Sequence, residues 1–447
     1  NSSAASDVYK RQRWAFPAGG AATIIGPWDH LIVWTDGDTL DAGLHANFRL
    51  NADGDEIYLF AADGETLIDG FSFGPQTPDI SFGRTPDGGE TLRFFAEPTP
   101  GDRNSEGYLG EVAPLVFSHE RGFYGSSFNL TIATPTEGAQ ITYTLDGRIP
   151  DDPDYRFRPG QTYTGPIPID RTTCVRAIAV KPGWKPTALA THTYILDAGE
   201  EARSLPVISL VGDAAKTFYE PMGVMAIVGG TYNNGVWTST GADSYNNVLE
   251  RGLERPVSAE WIDPEGGNGF HIDCGLRVHG SNYMRPRYVR QNGYWSGNGK
   301  FSFRLYFRGE YGRNRLEYPL FPESDVERFA SIVLRGGHND RVNPFIKDEL
   351  LRRLHKDMGQ RACMGTFANL FINGEYKGYF NVTEHVKEES CQEWFDSDQP
   401  WDVMTMNGIR DGNAESWNAM INYARGHDLS VAPYYRELAE RLDVVAF

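Results

Sequence analysis

The segment from Lys300 to Arg308 alternates between apolar and polar side chains. A period of two is that of a β-strand, in which successive side chains point to opposite faces. We therefore predict a strand with one buried face and one polar, cationic face. Every second residue forms the predicted buried face: Phe301, Phe303, Leu305 and Phe307.

A helical pattern follows between Asn343 and Gly359. Asn343-Pro344 offers an N-cap and a first-turn proline, and Gly359 stands where a helix-ending glycine belongs. Apolar residues recur at every fourth position, as on one face of a helix: Ile346, Leu350, Leu354 and Met358. Two acid–base pairs at the same spacing support this helix: Asp348 with Arg352, and Glu349 with Arg353.

Strand patterns at 367–372 and 375–382 flank Asn373-Gly374, a dipeptide that strongly favours a two-residue hairpin turn. Residues 414–425 and 433–444 have helical patterns. The last part of the chain is therefore predicted to be a mixed α+β domain.

Before residue 198 the pattern is one of short strands separated by turn dipeptides such as Asp53-Gly54 and Asp146-Gly147. Strands at a spacing of about ten residues are typical of antiparallel sandwiches. The predicted organisation is 1–12 as a polar, non-native or disordered tail, 13–104 and 105–197 as two β-sandwiches, and 198–447 as the α+β domain.

Composition excludes several classes of protein. Forty-two Lys and Arg against 60 Asp and Glu give a net charge of −18, which is unsuited to coating nucleic acid. No run of about 18 apolar residues predicts a membrane span, and no signal peptide stands at the N-terminus. The four cysteines are far apart, which argues against a zinc ribbon and a disulfide-dense scaffold but leaves one bridge open.

The first two domains resemble known modules. Residues 44–50, 54–60 and 81–84 are similar to a lamin tail domain, an immunoglobulin-like sandwich; its usual opening strands are absent, so we expect a partial domain. Residues 143–147 and 179–186 resemble the C-terminal domain of chitobiase and β-hexosaminidase, a sandwich accessory without a catalytic carboxylate pair.

From Leu205 onward the chain resembles the CotH (spore-coat protein H) kinase family of atypical protein kinases. The motifs that carry this resemblance are residues 276–281, 302–307, 347–350 and 372–379, with Glu384 after them. The resemblance implies transfer of the ATP γ-phosphoryl group to protein Ser or Thr, with Mg²⁺ or Mn²⁺. The implied fold is multidomain, with two all-β immunoglobulin-like sandwiches before an incomplete α+β atypical kinase-like domain.

Lys300 and Arg304 are the candidate cations for the nucleotide phosphates. Relatives usually carry two adjacent lysines here, whereas Phe301 follows Lys300 in this chain. Which cation would contact phosphate is therefore open. The alternative is that the cationic face of the strand is simply solvated.

Gly280, Ser281 and Asn282 precede this strand, where a phosphate-covering loop would lie. Glycine permits close backbone approach, and the two polar side chains can donate hydrogen bonds. Most such triplets are ordinary turns. Glu384 matches a recurrent family glutamate and is a candidate to pair with Lys300 or Arg304; the alternative is a surface glutamate.

Arg335, Asn339 and Asp340 are weaker nucleotide-binding candidates, and for Asn339-Asp340 we favour a capping role. We interpret His338 as a turn histidine. No metal ligands are identifiable, because the acidic motif that supplies them in the family would lie beyond Phe447, and we expect the catalytic residues there as well. Trp401-Asp402 imitates that motif but comes too early in the chain.

Two function hypotheses of different classes follow. The first is a CotH-type protein kinase acting on protein Ser or Thr, secreted or on a cell surface, as the company of these domains implies. The second is a non-catalytic adhesion protein with a degenerate kinase-like domain, whose sandwiches contact cell wall or glycan. A third hypothesis, carbohydrate turnover, rests on the second module alone.

Overall fold

The computed structural model describes residues 14–18, 23–37, 40–155, 158–219, 222–226, 231–233, 236–238, 253–267, 269–280, 301–337, 346–405 and 408–442. These residues are mostly β-structure with a few helices, in agreement with the predicted multidomain, mainly β class. They form two compact units. The first contains the described residues up to Pro114 with Thr134–Gln140 and Ala179–Ala188, and the second contains the rest.

The first unit has four strands: β1 (Asp55–Phe60), β2 (Leu67–Phe73), β3 (Ser81–Arg84) and β4 (Leu92–Phe95). They pair as two separate antiparallel hairpins, β1 with β2 and β3 with β4. Phe95 is buried, but Ile57 through Phe60 of β1 are largely exposed. Isolated bridges such as Trp34 with His45 and Phe94 with Tyr108 accompany the hairpins, and the first sandwich stays a prediction.

The second unit opens with a β-sandwich, called the sandwich below. Its strands are β5 (Val116–Phe117), β6 (Gly122–Tyr124), β7 (Phe128–Leu130), β8 (Ile132–Ala133), β9 (Gln140–Thr144), β10 (Gln161–Thr162), β11 (Ile167–Ile169), β12 (Thr173–Val180) and β13 (Ala190–Leu196). The main sheet has the order β10-β9-β12-β13-β6. Strands β9 and β12 lie within the second predicted sandwich, 105–197.

The rest of the second unit alternates strands and helices. It begins with a short helix, α1 (Glu200–Arg203), directly after the sandwich. The strands that follow are β14 (Val207–Val211), β15 (Thr231–Asn233), β16 (Val236–Thr238), β17 (Arg255–Ile262), β18 (Phe270–His279), β19 (Ser302–Tyr306), β20 (Leu316–Glu317), β21 (Arg328–Phe329), β22 (Ser331–Arg335), β23 (Gly365–Ile372), β24 (Glu375–Glu384), β25 (Val403–Thr405) and β26 (Gly408–Asp411). The helices are α2 (Lys347–Asp357), α3 (Glu388–Phe395), α4 (Glu415–Gly426) and α5 (Ala432–Ala439).

Seven of these strands close into a barrel with the order β14-β17-β18-β19-β22-β24-β23. All neighbours are antiparallel except β14 and β23, whose parallel pairing closes the ring. Alternate side chains fill an apolar interior, and Phe303 and Leu305 of β19 are fully buried there. The predicted alternation around residue 303 is confirmed, and Ser302 and Arg304 of β19 lie on the outer face of the barrel.

The β23–β24 hairpin turns at Asn373-Gly374, as predicted, with φ values of 49° and 79°. Positive φ at both central positions is typical of a type I′ turn, whose backbone twist matches that of the paired strands. The Asn373 side chain also accepts from Gly212 N at 3.0 Å and donates to Gly212 O at 2.8 Å. One residue therefore both permits the turn and ties it to the chain after β14.

Asn373→Ala is expected to lower the free energy of unfolding by about 2 kcal/mol, from two lost hydrogen bonds and a positive φ that alanine resists. Denaturant unfolding measures this. Asn373→Gly separates the two causes, because glycine keeps the backbone conformation and loses only the side-chain bonds. A loss below about 0.5 kcal/mol for alanine would contradict the assignment.

Helix α2 ends as predicted, with Gly359 at a φ of 84°. Both acid–base pairs form, with Arg353 Nε 3.0 Å from Glu349 and Arg352 against Asp348. The proposed cap Asn343-Pro344 lies outside the described residues. The periodic apolar positions are about half exposed or more, and the buried member of the helix is Glu349, which Asn381 of β24 contacts.

The two C-terminal helices are confirmed, α4 shifted by one residue from the predicted 414–425 and α5 shorter than predicted. Helix α5 ends at Ala439, whereas the pattern predicted helix to residue 444. Residues 443–447 lie outside the described part of the chain. In the portion of the chain that the structure describes, every helix is too short or too polar to cross a membrane.

Candidate functional site

Basic side chains gather on the outer face of the barrel where β18 and β19 pair. Arg277 lies directly opposite Arg304 in the register. Together with Arg308 they surround the ring of Tyr306, with Cζ-to-centroid distances of 4.8, 5.6 and 4.7 Å for Arg277, Arg304 and Arg308. Alternation places them on the same face, since the neighbouring positions are occupied by core residues. We call these residues, with Arg410, His279 and His385, the basic cluster.

Arg304 is the most enclosed cation of the basic cluster. It donates to Tyr306 Oη and to His279 Nδ1, both at 2.7 Å. Its Nε is buried and has no hydrogen-bond partner among the described residues. Burial lowers the pKa of the guanidinium, and the nearby Arg410 and Arg277 act in the same direction. A buried donor with no acceptor is suited to an anionic ligand.

Arg410 joins the cluster from β26, far along the chain. It donates to His385 Nε2 at 2.9 Å, and His385 Nδ1 lies 2.8 Å from Ser331 Oγ. Burial, with the charges of Arg304 and Arg410, lowers the pKa of His385 to about 2. His385 is therefore neutral at pH 7, accepting from Arg410 through one nitrogen and donating to Ser331 through the other.

Glu254 divides the cluster into two parts. Its carboxylate pairs with Arg277 at 2.5 Å and with Arg308 at 3.3 Å. Among the described residues, neither Arg304 nor Arg410 has a carboxylate within ion-pair distance. The uncompensated positive charge therefore concentrates on Arg304 and Arg410, which are the members that a phosphate group would contact.

Glu384 lies at the end of β24 and is 4% exposed. It accepts from Met364 N at 3.1 Å and Trp394 Nε1 at 3.2 Å. Burial raises its pKa to about 7. The surface-glutamate alternative is therefore wrong.

The pairing of Glu384 with Arg304 is also not formed. Glu384 stands opposite the core residue Ile332 in the register, so its side chain is on the interior side of the barrel. Arg304 is on the outer side. Lys300, the other suggested partner, lies outside the described residues.

Of the remaining candidates, Gly280 and Arg335 are among the described residues. Gly280 ends β18 beside His279 with a φ of 107°, a conformation suited to glycine. Ser281, Asn282, His338, Asn339 and Asp340 lie outside the described residues. Arg335 pairs with Asp348 at the start of α2, which places it in the contact between barrel and helix.

Sequence reasoning found Arg304 and missed Arg410, His279 and His385. Arg410 and His385 are separated from Arg304 by about a hundred residues, and no local motif marks them. His279 was within a quoted motif, and its position on the same face as Arg277 was available from the period of β18.

The described side chains of this region differ in how they suit a nucleotide phosphate and a metal ion. The orphaned Nε of Arg304 and the cations without carboxylate partners fit phosphate oxygens. Within the described ranges, no group of three or more His, Cys, Asp or Glu side chains is arranged to hold a metal ion, so we assign no ligand for Mg²⁺ or Mn²⁺. The four cysteines, all among the described residues, are unbridged.

Comparison with protein families matches two segments. Residues 119–191, within the sandwich, match the chitobiase/beta-hexosaminidase C-terminal domain. Residues 289–429 match the CotH kinase protein model, and this segment contains Arg304, His385 and Arg410. A search of curated proteins finds no match to the chain. The lamin tail resemblance of the first unit stays a prediction. The chain thus contains a segment that matches the CotH kinase protein model, after a segment that matches the chitobiase/beta-hexosaminidase C-terminal domain.

Proposed function

We propose that the barrel is the nucleotide-binding part of a CotH-type atypical protein kinase, which transfers the ATP γ-phosphoryl group to Ser or Thr of a protein. The observation that carries this is the pair Arg304 and Arg410. Both lie in the matched segment, and neither has a carboxylate partner among the described residues. Arg304 is on the outer face of the barrel, and Arg410 reaches that face from β26, where it donates to His385.

Phosphoryl transfer needs few protein groups other than positioning donors and cations, because charge spreads over the phosphate oxygens. Bound ATP would supply the transferable phosphoryl group, with Mg²⁺ or Mn²⁺ as the expected ion. Arg304 and Arg410 would hold the phosphates. The neutral His385 keeps Arg410 oriented, and His279 does the same for Arg304.

The neighbouring candidates complete the proposed site. Gly280 allows the chain after β18 to approach a phosphate closely, and Ser281 and Asn282 would donate to it. Lys300 would supply a further cation beside Arg304. The proposal includes a location of the protein outside the cell or on its surface. The match to the chitobiase-type module supports this location.

Transfer of label from γ-labelled ATP, with Mg²⁺ or Mn²⁺ and a mixed Ser/Thr protein acceptor, tests the proposal. For a chain that includes the segment expected to carry the catalytic residues, label on protein is expected, with a loss of at least tenfold in Lys300→Ala and Arg410→Ala. Arg171→Ala is the matched control, because Arg171 is an exposed arginine of the sandwich. No label together with no ATP binding would reject the kinase and favour a non-catalytic adhesion protein.

A further inference from the structure

The outer face of the barrel is polar, yet one part of it is completely buried. Ser209 of β14 with Ser258 and Glu260 of β17 have no exposed surface. The sandwich covers them with β12 and β13, where Thr191 and Thr193 are equally buried. A buried carboxylate is costly unless hydrogen bonds and opposite charge compensate it.

Glu260 receives this compensation entirely from the sandwich. Its Oε1 accepts from Thr193 N at 3.1 Å and lies 3.2 Å from Arg121 Nη1. Its Oε2 accepts from the Thr193 hydroxyl, which also lies 2.8 Å from Ser209 Oγ. Burial nevertheless raises the pKa of Glu260, so its partners offset only part of the desolvation.

Arg176 makes the second link. It is 5% exposed, and it donates to Ser258 Oγ of the barrel at 3.1 Å and to Gly147 O of the sandwich at 2.9 Å. Ser258 in turn donates to Asp273 of β18. The guanidinium therefore lies in the field of Asp273 and Glu260, the two acidic side chains that β18 and β17 direct towards it.

A third contact is steric. Gly147 lies so close to the barrel that a Cβ there would be 2.3 Å from Gly212 O, at a φ of 82° that already disfavours other residues. Beside it, Lys216 of the barrel pairs with Asp152 and Asp154 of the sandwich at 2.8 and 2.7 Å. Charge, hydrogen bonding and shape are thus matched over the same interface.

We propose that the sandwich is a dedicated intramolecular partner of the barrel, docked through Glu260, Arg121 and Arg176, and that its β12–β13 face is unavailable to an outside ligand such as a glycan. The module then acts as a scaffold for the barrel. Glu260 is a completely buried carboxylate whose hydrogen-bond and ion-pair partners all come from the other module.

A consequence concerns β18, and this part rests on the proposed function. Asp273 shares the outer face of that strand with Arg277 and His279 of the basic cluster, because the three are spaced by even numbers of residues. Loss of the Arg176 link is expected to weaken ATP binding as well as docking. Docking itself is measured without nucleotide, so the two outcomes are separable.

The test uses the full chain with a site-specific protease sequence inserted after Gly199, before α1. After cleavage, the two halves are expected to migrate as one particle in sedimentation velocity at micromolar concentration. In Arg176→Ala the association is expected to weaken at least about a hundredfold, since buried Glu260 and half-buried Asp273 lose a nearby positive charge and Ser258 loses a donor. Arg171→Ala is the matched control, because Arg171 is an exposed arginine of the sandwich, and its halves are expected to associate as the wild-type halves do.

Gly147→Val is an independent variant that alters shape without removing charge, and it too is expected to separate the halves. Circular dichroism of the uncleaved chains shows whether each variant has folded. Wild-type halves that separate on cleavage would overturn the proposal. Halves of both Arg176→Ala and Gly147→Val that associate as tightly as wild type would overturn it equally.

Discussion

Arg304→Ala is expected to weaken ATP binding by about a hundredfold, measured by calorimetric titration. A charge-assisted hydrogen bond contributes about 1.5–3 kcal/mol, and about 2.7 kcal/mol corresponds to that factor. The Nε of Arg304 is a buried donor without a described acceptor, so its bond to phosphate is new on binding. Arg304→Lys is expected to recover part of the affinity, because lysine keeps the charge and lacks the planar fork.

The control is again Arg171→Ala, which is expected to bind ATP as the wild type does. Thermal unfolding of each variant checks the fold, since Arg304 also bonds Tyr306 and His279. If the Arg304→Ala protein is folded and binds ATP as tightly as the wild type, Arg304 does not contact phosphate. The cationic face of β19 is then simply solvated.

The second large effect concerns Glu384, whose pKa is about 7 in the folded chain against an ordinary value of 4.5. The folded state therefore binds this proton more tightly than the unfolded state. Its stabilising contribution is complete below pH 4.5 and is lost as pH rises through 7. The difference between the two pKa values corresponds to about 3 kcal/mol.

Glu384→Gln removes this titration while keeping an acceptor for Met364 N and Trp394 Nε1. The wild type is therefore expected to lose about 3 kcal/mol of unfolding free energy relative to the variant between pH 4.5 and pH 8. Urea unfolding at several pH values measures the difference. Glu415→Gln, at the exposed start of α4, is the control for loss of a surface carboxylate. A constant difference across this range would contradict the buried state of Glu384.

Local elements could be predicted from the sequence because local forces determine them. The alternation around Phe303, the Asn373-Gly374 turn and the glycine that ends α2 each follow from backbone period or from a permitted φ. The helical period of α2 was also correct. The period could not show which face of α2 packs against the rest of the protein. The buried residue of α2 is Glu349, which forms ion pairs with Arg352 and Arg353.

The candidate site was only partly predictable, because it depends on contacts between distant parts of the chain. Arg304 was found from the cationic face of its strand. Arg410 lies in the β25–β26 hairpin, and the sequence pattern of that hairpin does not show that it packs beside His385. Glu384 lies on the interior side of the barrel, which the sequence pattern did not show either. The docking of the sandwich through Glu260 is equally non-local, since Thr193 and Arg121 precede it by 67 or more residues.

Binding of inorganic tripolyphosphate tests the central claim most directly, because it isolates the phosphate-binding role of the basic cluster from any recognition of the base. The account predicts that tripolyphosphate binds in calorimetry, competes with ATP and loses affinity in both Arg304→Ala and Arg410→Ala, while adenosine binds far more weakly. Adenosine binding as tightly as ATP, or tripolyphosphate binding that neither variant changes, would contradict it.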